Sequence, residues 1–255
     1  MTRTLQELGD LSGRRALVAG GAGHLGRAVV GALDELGAAV AVVDLRDDGV
    51  AGLAIEADLG DEEAARGAVR TAVEQLGGLD VLVHCAALVG SSELDGWAVP
   101  FESQSVEAWR RALEVNLTSA FVLVQEAAPA LRASGHGSVI LFGSIYGLVG
   151  PDPSLYEGTE MANPAAYGAS KGGLLQLVRH LATTLAPDVR VNAVSPGGIE
   201  RGQPESFQER YRGRTPLRRL GSEEDVKGAV AYLASDLSAY VTGHDLVVDG
   251  GWTAW

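Results

Sequence analysis

Short runs of Ala, Val, Leu and Ile alternate along the chain with stretches whose apolar residues recur every three or four positions. The runs at 16–19, 38–44, 53–56, 81–85, 138–142, 190–194 and 245–248 are almost continuously apolar. Strands buried on both faces read that way, because neither side of the pleat meets water. The stretches at 24–36, 62–76, 105–132, 165–185 and 223–234 carry the helical period instead. No Pro- or Ser-rich linker divides the chain and no fixed-period repeat is visible. The pattern predicts one α/β domain over 1–255, a doubly wound parallel sheet of Rossmann-like type with helices on both faces.

Composition narrows the picture. The chain has 255 residues, enough to bury a sizeable core, and is 46% apolar with 34 Gly but only 5% aromatic. Small aliphatic side chains suit close helix-on-sheet packing. A net charge of −13 argues against nucleic acid or an anionic membrane surface as a partner. One cysteine, Cys85, excludes an internal disulfide and fits a reducing, cytoplasmic setting. The first ten residues lack a signal-peptide core, and no apolar run approaches the ~20 residues that span a bilayer. The histidines (His24, His84, His136, His180 and His244) are scattered, and no metal site is expected.

Chemistry enters at Tyr167-Gly168-Ala169-Ser170-Lys171. Residues four apart share a helix face, so the phenol and the ammonium can point into one site. A free phenol ionises near ~10; bringing it to neutrality takes roughly 3 units, or about 4 kcal/mol of preference for the phenolate. A fixed cation nearby is expected to supply that bias, and a cationic nicotinamide ring would add to it. Alone, the pair is more often an exposed tyrosine and a solvated lysine, so the rest of the chain decides.

The first strand runs into Gly20-Gly21-Ala22-Gly23-His24-Leu25-Gly26, with G-x-G-x-x-G at Gly21, Gly23 and Gly26. Between a first strand and a first helix, such a turn lets the backbone approach a pyrophosphate held at the helix N-terminus. Asp44 ends the second strand, where a carboxylate accepts from ribose hydroxyls and repels a 2′-phosphate. That favours NAD(H) over NADP(H), with Arg46 as the counter-argument. Asp58 follows the third strand, where an adenine edge would lie, and reads equally as a helix N-cap. Small residues at Ala86 and Ala87 suit passage beside a flat cofactor, whereas His84 and Cys85 read as packing residues.

Asn116 lies in an apolar helical face and must find partners, either in a structural kink or in a water relay. Ser144 ends the fifth strand, where doubly wound sheets bind ligands, and can bond a substrate oxygen; a turn-forming serine is the plain alternative. The connection 147–161 carries Asp152, Tyr156, Glu157, Thr159 and Glu160, a set that suits a binding loop or lid. Pro196 takes the chain out of the sheet. Beyond it stand Arg201, Arg210, Arg212, Arg214, Arg218 and Arg219. In an acidic chain they suggest a gate facing an anion, although a salt-bridged surface is the commoner origin of such a cluster. Substrate loops are expected near 88–104, 147–161 and 199–220.

In this order the pieces resemble the compact branch of the short-chain dehydrogenase/reductase family, over essentially the whole chain. The resemblance implies Tyr167 as general acid/base, with Lys171 lowering its pKa and binding the nicotinamide ribose. It implies Ser144 on the reacting oxygen and Asn116 in support of a proton path. Cofactor contacts are implied for Gly20, Gly23, His24, Leu25, Gly26, Asp44, Asp58, Leu59, Ala86, Tyr167, Lys171, Pro196, Gly197 and Ile199. A homotetramer is implied as well, built on the helices around Asn116 and Tyr167 and on the last strand.

Three departures stand out. Ala19 replaces the usual Thr before the glycines, and the Gly20/Gly23/Gly26 spacing looks more like the larger sugar-nucleotide epimerase branch. The chain after Gly197 is short for that branch. His84-Cys85-Ala86-Ala87 replaces Asn-Asn-Ala-Gly, and Arg201 stands where a Thr often follows Pro-Gly. A looser similarity, in Ser-Ile-Tyr-Gly, Tyr-Glu-Gly-Thr and Asp-Gly-Gly-Trp-Thr-Ala-Trp, points to a subset in bacterial flagellin-glycan and nonulosonate pathways.

The leading expectation is therefore an NAD(H)-dependent oxidoreductase interconverting a secondary alcohol and a ketone on a polar, sugar-like small molecule. A sugar-nucleotide epimerase or dehydratase is one alternative. A non-catalytic dinucleotide sensor is another, opposed by the intact Asn116, Ser144, Tyr167 and Lys171, since a sensor needs no proton path.

Overall fold

The computed structural model describes residues 2–46, 49–90 and 92–255. Its strands are β1 (Arg15–Ala19), β2 (Ala39–Asp44), β3 (Leu53–Glu56), β4 (Val81–His84), β5 (Gly137–Phe142), β6 (Val189–Pro196) and β7 (Asp245–Val248). They form one 7-stranded sheet in the order β3-β2-β1-β4-β5-β6-β7, and every pairing is parallel. The chain starts in the middle, works outward to β3, then returns beside β1 and works outward to β7. That reversal opens a crevice at the carboxyl ends of β1 and β4, the position at which doubly wound sheets bind ligands.

The helices are α1 (Leu5–Gly9), α2 (His24–Glu35), α3 (Glu62–Leu76), α4 (Val106–Leu113), α5 (Ser119–Ser134), α6 (Ala165–Leu185), α7 (Glu205–Arg214) and α8 (Lys227–Ala234). Strand side chains alternate across the sheet and fill two cores. Leu17, Leu82, Val139 and Leu141 pack with α3, α5 and α6 on one face. Ala16, Val18, Val83, Ile140 and Phe142 pack with α2 and α8 on the other. Among the described residues no helix is long and apolar enough to cross a membrane.

The structure departs from the sequence pattern where local geometry intervenes. The helical stretch 105–132 is interrupted by a π-helical turn, Glu114–Thr118, which joins α4 to α5. Strand β6 runs on through Ser195 to Pro196, whose missing N–H falls at the last position of the strand. The N-cap of α3 is Asp61, which accepts from the Ala64 N–H. The capping role considered for Asp58 is thereby corrected: that carboxylate accepts from the Gly60 N–H at 2.8 Å, one turn earlier. The last predicted helix opens with a 3-10 turn, Glu223–Val226, before α8.

Leu141 is 0% exposed in the middle of β5. Leu141→Ala is expected to cost about 2–5 kcal/mol, read as a lower urea midpoint at unchanged slope.

Candidate active site

The turn after β1 is shaped by close approach. Gly20 has φ +78°, and a Cβ there would lie 2.4 Å from the Ala86 backbone nitrogen. A Cβ on Gly26 would meet the Gly20 carbonyl at 2.1 Å, so α2 sits directly against the turn. Gly23 differs: a Cβ there would meet only the Gly20 carbonyl, at 3.4 Å. The chain itself does not require glycine at 23, and the outward side of the turn is left clear. Gly23 is the N-cap of α2 and offers no side-chain cap, and no acid stands in the first turn of the helix. The first N–H groups of α2 and the positive end of its dipole therefore face the crevice, a fit for a pyrophosphate.

Asp44 is tied into this cradle. Its carboxylate accepts from the Ala22 N–H at 2.9 Å and from the Leu45 N–H at 2.8 Å, and it retains lone pairs for a ribose hydroxyl. Asp58 pairs with Arg111 at 2.7 Å. Burial opposes its ionisation, but the Gly60 N–H and Arg111 outweigh that and hold its carboxyl below the usual range. Leu25 and Leu59 turn their side chains into the two cores.

Across the crevice, Tyr167 lies in the first turn of α6 and Ser144 at the end of β5. They are brought together by the 3-10 turn Ile145–Gly147, which rests on α6. A Cβ on Gly147 would lie 2.8 Å from the Lys171 carbonyl carbon, so only glycine permits that approach. The Ser144 hydroxyl accepts from the Tyr146 N–H at 3.2 Å and also interacts with the Tyr167 hydroxyl. The turn-forming reading of Ser144 holds, and the same hydroxyl reaches the Tyr167 phenol.

The electrostatics correct one expectation. Burial pushes the Tyr167 phenol above its ordinary value, while Ser144 and the charge of Arg201 draw it back. Lys171 is not among the groups that lower it. Its Nζ donates to the Phe142 carbonyl at 2.6 Å and stands 5.8 Å from the centroid of the Tyr167 ring. Burial pushes the Lys171 ammonium down to about 8. The pair is adjacent, as its spacing predicts, but desolvation dominates both partners.

Asn116 sits fully buried in the π-helical turn. Its Oδ1 accepts from the Leu88 N–H at 2.7 Å, and its Nδ2 donates to the Leu88 carbonyl at 3.2 Å and to Ser170 Oγ at 3.1 Å. Ser170 in turn donates to the Tyr167 carbonyl at 2.8 Å. One amide therefore stitches the 88–104 loop to the turn of α6 that carries Tyr167. His84 bonds Ser119 at 2.7 Å through Nε2; burial and the Lys171 charge push it down to about 3, so it stays neutral. Burial likewise pushes the Cys85 thiol far up, which leaves it unreactive.

The outer wall combines the 147–161 and 199–220 segments. Ile145, Leu155, Phe207, Tyr211 and Trp252 form a buried cluster, with Tyr146, Tyr156 and Met161 packed against it. The hydroxyls of Tyr146 and Tyr156 lie 2.8 Å apart. Gly197 donates to the Val248 carbonyl at 3.0 Å, and Ile199 bridges Gly221. Arg210 donates to the carbonyls of Leu155 and Glu157, and Arg214 pairs with Asp152. Asp152 thus joins the two segments together, a role its place in the sequence did not reveal. Helix α7, which supplies Phe207 and Tyr211, was likewise not expected, because polar and charged residues outnumber apolar ones along it.

A doubly wound sheet with Ser, Tyr and Lys converging beside a glycine-rich turn defines an oxidoreductase of the nicotinamide-dependent type. Comparison with known proteins agrees. A family model described as Enoyl-(Acyl carrier protein) reductase matches residues 20–253. A cis-4-hydroxycyclohexanecarboxylate dehydrogenase from Sinomonas cyclohexanicum is 35% identical, over 94% of this chain and 97% of that protein. A probable galactose dehydrogenase from Rhizobium meliloti is 34% identical, over 98% of this chain and 99% of its own. A short-chain dehydrogenase from Leptospira borgpetersenii, solved with bound NAD+, superposes with a TM-score of 0.88 at 30% identity, covering 99% of this chain and 97% of its own. The chain belongs to the short-chain dehydrogenase/reductase family.

Lys171 carries a consequence for stability. The unfolded chain takes up its proton near the ordinary 10.5 and the folded protein only near 8, so the unfolded state binds more protons in between. The contribution of Lys171 to stability therefore rises with pH across that window and is most unfavourable below it. Lys171→Met is expected to be more stable than the parent at pH 7 by about 1–3 kcal/mol, with the difference closing as pH approaches 10. Urea unfolding of both proteins at several pH values measures this.

Proposed function

We propose that the protein is an NAD(H)-dependent dehydrogenase/reductase interconverting a secondary alcohol and a ketone on a polar, ring-shaped small molecule. The observation that carries this reading is the meeting of Tyr167 with Ser144 across the crevice from an uncapped α2 N-terminus. The glycine cradle would hold the pyrophosphate, and Asp44 would accept from the adenosine ribose and repel a 2′-phosphate. When bound, the dinucleotide supplies the hydride acceptor and a cationic ring whose charge favours the Tyr167 phenolate.

In the oxidative direction Tyr167 accepts the hydroxyl proton while the carbinol hydrogen leaves with its electron pair. Ser144 donates to the substrate oxygen and stabilises the charge that develops there. Lys171, poised near neutrality by burial, holds positive charge behind the tyrosine and is placed to bind a ribose hydroxyl. Asn116 acts by position: its hydrogen bonds to Leu88 and Ser170 fix the tyrosine's helix turn. A polar ring is favoured by the paired hydroxyls of Tyr146 and Tyr156 on the outer wall and by relatives named for galactose and hydroxycyclohexanecarboxylate.

A panel of ring alcohols and sugars, followed through nicotinamide absorbance, is expected to reveal turnover with NAD outrunning NADP. Tyr167→Phe should lower kcat/KM by roughly 10²–10⁴-fold with NAD affinity unchanged. Activity close to that of the parent would reject the acid/base role. The assembly we propose is a homotetramer. Phe121 on α5 is exposed beside a shallow hollow lined by Leu117, Gly173 and Leu177 and by Thr118, Gln176 and His180, a mixed face suited to a second copy. Light scattering is expected to report four chains, and a monomer at micromolar concentration would overturn this.

A further inference from the structure

A run of hydrogen bonds joins the last residue of β4 to the helix turn that carries Tyr167. It passes through the π-helical turn. There the Ser119 N–H donates to the Glu114 carbonyl, the five-residue reach that marks such a turn. In an α-helix that N–H would meet the Val115 carbonyl. Here the Ser119 hydroxyl meets it instead, at 2.7 Å. The Val115 carbonyl belongs to the peptide unit that leads into Asn116, so Ser119 holds the backbone on which that amide stands.

His84 in turn holds Ser119. It ends β4, the middle strand of the sheet, is paired in register with Ala19 and Leu141, and is 0% exposed. Its Nε2 lies 2.7 Å from Ser119 Oγ. A serine hydroxyl carries one hydrogen, and this one is committed to Val115, so Oγ accepts from the ring. The imidazole proton therefore lies on Nε2. Nδ1, which has no hydrogen-bond partner among the described residues, is left as a bare lone pair. The opposite tautomer would leave one of the two 2.7 Å contacts without a hydrogen and bury an unpaired N–H. On the far side Asn116 donates to Ser170 Oγ at 3.1 Å, and Ser170 donates to the Tyr167 carbonyl at 2.8 Å.

We propose that His84 is a positioning residue for proton transfer, acting through Ser119 and Asn116 to fix the turn of α6 that carries Tyr167. The catalytic consequence rests on the oxidoreductase reading; the link itself does not. The role needs a neutral ring with its proton on Nε2, because only that form donates to Ser119 without burying an unpaired Nδ1–H. Burial and the Lys171 charge hold the ring in its neutral form. The role also needs a rigid origin, and β4 supplies one, being paired along both edges. Glutamine can present an N–H at the reach of Nε2, whereas asparagine stops at that of Nδ1. The two amides therefore separate the hydrogen bond from the mere filling of space.

Nitrogen NMR of the histidine-labelled, NAD-loaded protein tests the tautomer, with the His84 signal assigned by its absence in His84→Gln. A protonated Nε2 and an unprotonated Nδ1 are expected, and the reverse would overturn the proposal. Ser119→Ala should speed amide exchange in residues 165–171 by roughly tenfold while leaving residues 178–185 unchanged. On a ring alcohol that the parent oxidises, His84→Asn should lower kcat roughly 10–100-fold with NAD affinity unchanged, and His84→Gln should recover most of that loss. Adding Ser119→Ala to His84→Asn should cost little more, since both cut one chain. Unchanged exchange at 165–171, an unchanged kcat in His84→Asn, or equal losses in the two amide variants would each overturn the proposal. Should His84→Asn fail to fold, the tautomer and the Ser119→Ala exchange decide alone. Exchange coupling and an Nε2–H ring in a protein that oxidises none of the ring alcohols would sustain the link from His84 to α6 while removing the oxidoreductase reading.

Discussion

Everything at this edge of the sheet depends on the close contact between the turn after β5 and helix α6. Without a side chain at 147, the Ile145–Gly147 turn settles onto the backbone at Lys171. That single approach sets Ser144 beside Tyr167 and brings the Lys171 ammonium to the carbonyl of Phe142, the last residue of β5. A bulkier residue would lift the turn from the helix and separate all three groups at once. The Asn116 amide completes the arrangement from the opposite side through Leu88 and Ser170. A π-helical turn is a strained insertion in an otherwise regular helix, and such turns collect at functional sites. Here the buried amide in that turn bonds both Leu88 and Ser170 of α6.

Burial governs the electrostatics of the site's titratable groups. Buried His84 stays neutral, Cys85 is held as the thiol, and both Tyr167 and Lys171 are displaced toward their uncharged forms. A low-dielectric setting penalises an isolated charge but strengthens any favourable pairing made inside it. The phenol is therefore not acidic by virtue of lysine alone. In such a setting, added positive charge beside the phenol would favour its ionised form.

Much of this was legible in the sequence, for identifiable reasons. The sheet was visible because strands buried on both faces must be apolar throughout. The glycine turn and the Tyr167–Lys171 spacing were visible because each has a short-range geometric rule. What stayed hidden depends on contacts between distant segments. Nothing local marks Gly147 as the contact with α6, Asp61 rather than Asp58 as the cap, or Asp152 as the partner of Arg214. Helix α7 escaped because its few apolar residues pack inward as an isolated aromatic cluster, too sparse to give a period. The balance at Tyr167 was hidden for a related reason: sequence spacing reports proximity and says nothing of desolvation.

The outer wall shows how a shared scaffold acquires its own selectivity. Elements inward of β5 are fixed by packing against the sheet, and substitutions there disturb the fold. The 147–161 and 199–220 segments are held to each other instead, by the packed rings of Tyr156 and Phe207 and by arginines that reach across. Such a wall can change its facing residues without disturbing the machinery behind it. In an acidic chain each of these arginines finds a carboxylate or carbonyl of the protein: Arg201 meets Glu223, Arg214 meets Asp152 and Arg219 meets Asp225.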